Sequence, residues 1–352
     1  MRVAIVGCGN IAERYAETIA ATQSVKVVAA TDVDPARAKA LMEQHGGRAY
    51  ATLDELLADD EIDTVVNLTF PAAHASVTAD ALEAGKHVHS EKPLALSYDD
   101  AARLVTLADE RGLRLSSAPA TLLGEAQQSA WKLVRDGAIG RVRVVYAEAN
   151  WGRLERWHPD PRSLYAVGPL VDVGVYSLAI MTAMFGPVRR VQAYSTTVEP
   201  ERTHSEGWTF AMEGPDLVVA VVELADGVVA RLTASFYVGT SKQRGLEFHG
   251  DLGSLHLPSW QDFDSRIELQ ERGAEYEAVE PLRTPYPGID WSRALVDLAE
   301  AIEDDRPHRA TGEHAAHIVE VLEAARRSAE EGTGAVEVRS DFRRPEPLDW
   351  AR

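Results

Sequence analysis

The stretch Gly7-Cys8-Gly9-Asn10-Ile11-Ala12 decides how this chain is read. It follows the apolar run Arg2–Val6 and opens the stretch Asn10–Ala21, where Ile11, Tyr15 and Ile19 recur at steps of four. Strand, glycine turn and helix in that order form the G-x-G-x-x-A version of the dinucleotide-binding fingerprint. Gly7 permits the tight turn, Gly9 lets backbone approach a pyrophosphate, and Ala12 allows close helix–strand packing. The N–H groups at the helix start, from Asn10 and Ile11, then face the phosphates. Cys8 inside the turn reads as a small filler residue.

Working outward, the first third alternates short apolar runs with amphipathic stretches. Strands are expected at Lys26–Ala30, Thr64–Leu68, His87–Ser90 and Arg114–Ser117, and helices at Pro35–His45, His74–Ala84 and Tyr98–Arg111. Strands apolar on both faces, alternating with helices, predict a doubly wound parallel sheet, a Rossmann domain. Asp32 ends the second strand, where an acid accepts hydrogen bonds from the adenine-ribose hydroxyls and disfavours a 2′-phosphate. Val33 follows, where an NADP enzyme often has a basic or small polar residue. NAD is therefore expected, with NADP left open by Arg37 nearby.

After residue 120 the rhythm changes. Leu122–Asp136 predicts a helix, stopped by Gly137 and Gly140. Longer strands are expected at Val142–Asn150, Val188–Thr197, Leu217–Leu224 and Val228–Phe236. Asp226-Gly227 joins the last two as a hairpin turn. Val228, Ala230, Leu232 and Ala234 alternate with Val229, Arg231, Thr233 and Ser235, which predicts one apolar face and one partly polar face. Helices are expected at Trp291–Glu303 and Glu313–Ala329. The fold class is thus α/β: an N-terminal Rossmann domain over 1–120, then an α+β domain over 121–340. The second domain carries a large, mostly antiparallel, open-faced sheet. The polar tail 341–352 is expected to be loosely ordered. The partly apolar open face predicts a homo-oligomer, a dimer or tetramer.

Bulk properties narrow the classes. The 352 residues carry a formal net charge of -19, which makes nucleic acid and anionic membrane surfaces poor partners. One cysteine excludes an internal disulfide framework. No apolar run is long enough to span a bilayer, and the start Val3-Ala4-Ile5-Val6 reads as a strand and not a signal peptide. A cytoplasmic location is the default. His87 and His89 share a strand face, but no third ligand accompanies them, so no metal is expected.

Two further stretches carry chemistry. Gly85-Lys86-His87-Val88-His89-Ser90-Glu91-Lys92-Pro93 places a lysine past the end of a strand, the edge where open α/β sheets bind ligands. Pro93 biases Lys92 toward extended geometry. Gly168-Pro169-Leu170-Val171-Asp172-Val173-Gly174-Val175-Tyr176 puts Asp172 and Tyr176 on one face if it is helical.

In these motifs the chain resembles the glucose–fructose oxidoreductase / inositol dehydrogenase / rhizopine catabolism (Gfo/Idh/MocA) family. The resemblance covers almost the whole chain. Asn67-Leu68-Thr69-Phe70-Pro71-Ala72-Ala73-His74 is similar to the family's T-P-x-x-x-H stretch at the nicotinamide half of the site, with Phe70 in the usual proline place. Glu91-Lys92-Pro93 is the E-K-P motif, and Asp172-x-Gly174-x-Tyr176 the D-x-G-x-H/Y motif. The resemblance implies NAD(P)-dependent oxidation of a secondary alcohol of a sugar or polyol, or the reverse reduction. It implies cofactor contacts from Thr69, Phe70, His74, Glu91 and Lys92. Lys92 would hydrogen-bond the reacting oxygen, Asp172 would orient the substrate, and the residue at 176 would move the proton.

Many members have His at that place. A free Tyr has a pKa of about 10 against about 6.5 for His. Tyr176 therefore acts as a base near neutral pH only with its anion stabilised, and Lys92 is the cation for it. The plain alternative is a packed tyrosine beside a helix-capping Asp. Trp157 and His158 read equally as a sugar-stacking pair or as a surface loop, and Gln127 as a substrate contact. Two other functions stay open: a dehydrogenase of a non-sugar diol, and a catalytically silent dinucleotide-binding regulator.

Overall fold

The computed structural model describes residues 1–332 and 334–352. They group into two compact units: residues 1–120 with 290–319, and residues 121–289 with 320–352.

In the first unit, β1 (Arg2–Val6), α1 (Asn10–Ala20), β2 (Lys26–Thr31), α2 (Pro35–His45) and β3 (Arg48–Ala49) come first. Then follow α3 (Leu53–Leu57), β4 (Thr64–Asn67), α4 (Pro71–Glu83), β5 (His87–Ser90), α5 (Tyr98–Arg111) and β6 (Leu115–Ser117). The strands form a parallel sheet in the order β3-β2-β1-β4-β5-β6. This is the doubly wound sheet that the alternation predicts. Successive residues of β1 feed opposite faces: Ala4 and Val6 enter one apolar cluster with α4 and α5, Val3 and Ile5 another with α1 and α2. Helix ends follow local chemistry. Asp34 caps α2 ahead of Pro35, and Ser97 caps α5, which Gly112 ends at a φ of 64°. The short α3 and β3 go beyond the sequence reading.

The second unit opens with a 3₁₀ turn (Thr121–Leu123) before α6 (Glu125–Arg135). A continuous helix over Leu122–Asp136 is therefore not what forms. The chain breaks at Gly124, where a Cβ would lie 2.6 Å from the Phe263 ring. Then come β7 (Val142–Asn150), α7 (Arg162–Val167), a wide π turn (Leu170–Gly174) and α8 (Val175–Phe185). All eleven residues of α8 are buried, as an apolar helix without a polar face must be.

The strands β8 (Val188–Thr196), β9 (Glu201–Thr203), β10 (Thr209–Ala211), β11 (Leu217–Leu224) and β12 (Val229–Ser235) follow. After them lie β13 (Gly245–Gly250), β14 (Gly253–Leu257), β15 (Ile267–Glu271), β16 (Glu277–Val279), α9 (Arg293–Glu303), α10 (Gly312–Glu331) and β17 (Val336–Glu337). Among the described residues the large sheet runs β16-β15-β14-β13-β7-β12-β11-β8-β17. Its pairs are antiparallel except β7 with β12. Asp226-Gly227 makes the β11–β12 hairpin, with Gly227 at a φ of 79°. Ala230, Leu232 and Ala234 are buried, while Val221, Val229 and Tyr194 are exposed. One face of this sheet is thus covered and the other open.

The tail differs from expectation. Phe342 and Ala351 are buried, the Leu348 N–H donates to Gln128 Oε1 at 2.8 Å, and Arg344 pairs with Asp226 at 2.5 Å. Its apolar residues find a surface, so composition alone misjudged it.

Candidate active site

The carboxyl edge of the parallel sheet is set by register. Val6, Asn67 and Ser90 are aligned across β1, β4 and β5. The ladder continues one step beyond them: the Leu68 N–H donates to the Val6 carbonyl at 2.8 Å and the Glu91 N–H to the Asn67 carbonyl at 2.8 Å. The glycine turn, the Leu68-Thr69 turn and the Glu91-Lys92-Pro93 turn therefore leave the sheet side by side.

At this edge lies a cavity of about 500 Å³. Gly7, Gly9, Asn10, Ile11, Asp32 and Arg37 line it, with Thr69 and Phe70 also in its wall. These eight residues are the ones that the sequence reading assigns to the cofactor. The local geometry fits a dinucleotide. Gly7 has a φ of 92°, and a Cβ there would lie 2.8 Å from the Leu68 carbonyl carbon, so only glycine lets the two turns pack. At Gly9 a Cβ would meet no atom within 4 Å, and no side chain caps α1. The helix start is left open to an anion. Asp32 accepts the Cys8 N–H at 2.6 Å and the Asp34 N–H at 2.8 Å. The guanidinium of Arg37 pairs with Asp34 at 3.6 Å. Sequence reading missed Ala51, Thr52 and Leu53, which also line the cavity. They sit at the start of α3, too short a helix to leave a periodic signal.

Three other expected cofactor residues lie outside that lining. His74 is buried: its Nδ1 lies 2.7 Å from the Pro93 carbonyl oxygen and its Nε2 2.9 Å from that of Thr69. Glu91 is buried and accepts the Tyr15 hydroxyl at 2.8 Å. Lys92 is half-buried, in the turn that these two residues flank. Cys8 is no nucleophile, because burial and the nearby Asp32 carboxylate push its thiol up to about 12. His87 and His89 both form hydrogen bonds, His87 accepting the Arg114 N–H at 2.9 Å.

In the second unit Asp172 lies in the π turn and Tyr176 in the first turn of α8. The segment is helical, but its wide turn replaces the regular i, i+4 spacing there; such turns recur at functional sites. Asp172 is half-buried and Tyr176 buried. Trp260 packs on Tyr176 with ring centroids 5.0 Å apart, Trp151 on Trp260 at 5.6 Å, and Trp157 on Trp151 at 6.4 Å. An aromatic row thus joins the exposed Trp157 to Tyr176. Trp151 and Trp260 escaped the sequence reading, since isolated tryptophans 109 residues apart carry no local pattern. His158 Nδ1 accepts the Asp160 N–H at 3.1 Å, which keeps the ring on its own loop. Gln127 is fully buried and donates to the Asp262 carbonyl at 3.0 Å, which marks it as part of the scaffold. Among the described residues, no three His, Cys, Asp or Glu side chains group as a metal site. No described helix is long and apolar enough to cross a membrane.

A glycine-turn cavity beside a lysine turn, on a doubly wound sheet, defines an oxidoreductase with an NAD-binding Rossmann domain. Comparison with known proteins gives the family. Residues 1–118 match the oxidoreductase family NAD-binding Rossmann fold, and residues 127–256 match the GFO/IDH/MocA C-terminal domain. The chain belongs to the Gfo/Idh/MocA family of oxidoreductases. It is 29% identical over 347 residues to the uncharacterized oxidoreductase ORF334 of Rhizobium meliloti, covering 94% of this chain and 98% of that one. It is 28% identical over 321 residues to 1,5-anhydro-D-fructose reductase of Ensifer adhaerens, covering 89% and 91%. The crystal structure of aldose-aldose oxidoreductase from Caulobacter crescentus, complexed with glycerol, superposes with a TM-score of 0.83 at 25% identity, covering 96% and 99%.

Proposed function

We propose that this enzyme transfers hydride between a nicotinamide cofactor, NAD in preference to NADP, and a secondary alcohol or carbonyl of a sugar or polyol. The observation that carries the reading is the row of turns at the sheet edge, where the Lys92 turn neighbours the turn lining the dinucleotide cavity. Bound NAD supplies the hydride acceptor. The protein's own residues do the rest. Lys92 donates to the reacting oxygen and stabilises its developing negative charge. Tyr176 takes the hydroxyl proton in oxidation and returns it in reduction. Asp172 orients the substrate, and Trp157 and His158 contact it. The two relatives named for sugar chemistry, the anhydrofructose reductase and the aldose-aldose oxidoreductase, support the substrate class.

The test is NADH formation at 340 nm with a panel of aldoses, ketoses, inositols and linear polyols. Turnover of at least one member is expected, and Lys92→Ala should abolish it while NAD binding stays measurable. Near-normal activity of Lys92→Ala, or tight NAD binding with no turnover of any member, would sink the proposal. The same reading makes the open sheet face, with Tyr194, Val221 and Val229 exposed, the contact between copies of the chain. Light scattering should then give a dimer or tetramer; a monomer would remove that part.

A further inference from the structure

The turn that carries Lys92 is held by side chains outside the dinucleotide cavity. Tyr15, on the buried face of α1, donates its hydroxyl to Glu91 Oε1 at 2.8 Å. The other carboxylate oxygen, Oε2, accepts the Lys92 N–H at 3.1 Å. One buried carboxylate thus links α1 to the Lys92 backbone. The Tyr15 ring is itself fixed, against Trp291 at 5.7 Å and His89 at 6.0 Å between centroids.

The proton order behind this link follows from the partners. His89 Nε2 lies 3.3 Å from the Tyr15 hydroxyl oxygen, and His89 Nδ1 lies 2.9 Å from the Ser116 hydroxyl. Burial pushes the His89 imidazole down to about 3, so the ring is neutral and holds one N–H. Tyr15 gives its only proton to Glu91, so its oxygen accepts from His89 Nε2–H, and His89 Nδ1 then accepts from Ser116. Ser116, His89 and Tyr15 form a single-file row of donors aimed at Glu91. Such rows polarise one another, and the loss of one member is felt along the row.

We propose that Tyr15 is a positioning residue for Lys92, acting through the Glu91 carboxylate, with His89 and Ser116 fixing the direction of the row. The proposal rests on the reading of Lys92 as the group that meets the reacting oxygen. Misplacing such a group by about 1 Å can cost about 100-fold in rate.

Tyr15→Phe tests this, because it removes one oxygen and keeps the ring packing. Three measurements are made on the full-length enzyme: kcat for the fastest polyol or sugar of the panel, the NAD dissociation constant, and hydrogen exchange of the Lys92 amide. Expected are a kcat drop of about ten-fold, an NAD constant within two-fold of the parent, and Lys92 exchange at least ten-fold faster. Glu91→Gln should lower kcat too, and adding Tyr15→Phe to it should lower kcat no further, since Tyr15 acts through Glu91. Parental kcat and parental exchange in Tyr15→Phe would overturn the proposal. So would equal losses in kcat, NAD binding and melting temperature, which mark a general structural role. If no panel member turns over, the exchange rate alone decides. Failure of the Lys92 reading shows separately, as activity retained by Lys92→Ala.

Discussion

The Asp32 carboxylate accepts the Cys8 backbone N–H at 2.6 Å, binding the end of β2 to the glycine turn after β1. Its second oxygen accepts the Asp34 N–H at 2.8 Å. A carboxylate has about four lone-pair positions, so two remain for ribose hydroxyls on the cavity side. A 2′-phosphate there would meet this negative charge, and Arg37, the cation at hand, is drawn to Asp34. Asp32→Ser should raise KM for NAD about ten-fold and shift the NADP/NAD ratio of kcat/KM at least as far. A parent enzyme that prefers NADP would contradict the argument.

The two glycines of the turn should separate fold from binding. Gly7→Ala combines a left-handed φ with a clash against the Leu68 backbone. It should lower the melting temperature clearly, at a cost of about 1–3 kcal/mol or more, and abolish NAD binding. Gly9→Ala meets open space and an ordinary φ of -78°, so the fold should hold while the methyl group intrudes on the phosphates. Calorimetry and NAD titration on both variants check this. Equal melting temperatures for Gly7→Ala and the parent would refute the packing argument.

Much of this site is readable from the chain because its code is local. The run from β1 through the glycine turn into α1 specifies strand, turn and helix within 20 residues, and Asp32 lies one strand further on. What stays hidden depends on long-range packing. Tyr15 and Glu91 are 76 positions apart, and nothing in either neighbourhood announces the bond. The motif points His74 and Glu91 at the cofactor, but it does not announce that each also reaches the Lys92 turn, His74 through Nδ1 at the Pro93 carbonyl and Glu91 through Oε2 at the Lys92 N–H. Strands β13 to β16 are three to six residues long, too short for an alternation to stand out, and glycines sit at the ends of β13 and the start of β14, so periodicity could not reveal them. The π turn at Asp172 likewise leaves no mark, since helical spacing does not distinguish a wide turn from a regular one.

Acid should destabilise the first unit through two buried histidines. Burial pushes both His89 and His314 down to about 3, with the neighbouring His308 and His317 adding to it. Unfolded, each takes a proton below about pH 6.5. Their contribution to stability is therefore whole above that pH and is lost as pH falls toward 3. Near pH 5 these two rings alone give the unfolded chain about two more protons, a slope of roughly 2.7 kcal/mol per pH unit, to which His308 and His87, also lowered by burial, add. Melting temperatures at fixed ionic strength should be flat from pH 8 to 6.5 and drop below. His89→Gln should reduce the slope by about 1.4 kcal/mol per pH unit, the share of one proton. A melting temperature unchanged between pH 7 and 5 would rule this out.

Cys8 should resist alkylation although it borders the cofactor turn. With its thiol near 12, the thiolate fraction at pH 8 is about a thousand-fold below that of a free cysteine. Iodoacetamide labelling followed by intact mass should therefore be slow in the native enzyme and fast in urea. It is the chain's one cysteine, so the readout is unambiguous. Fast native labelling would show the thiol to be ionised.

The second unit carries its own electrostatic risk at Arg202. This side chain is fully buried, and its guanidinium meets Asp216 and, at 3.1 Å, Glu155, both also buried. Burial alone would push the Glu155 carboxyl up. The Tyr165 hydroxyl and Arg202 outweigh that and hold it below the usual range. Arg202→Met keeps the volume but takes the guanidinium from Asp216 and leaves Glu155 with Arg153 alone, at 3.5 Å, which should cost about 3–5 kcal/mol. Adding Glu155→Gln and Asp216→Asn removes the stranded charges and should recover more than half of the loss. Urea denaturation of the single and triple variants measures both numbers. A cost below 1 kcal/mol for Arg202→Met would mean that water reaches the carboxylates and that the cluster is not dry.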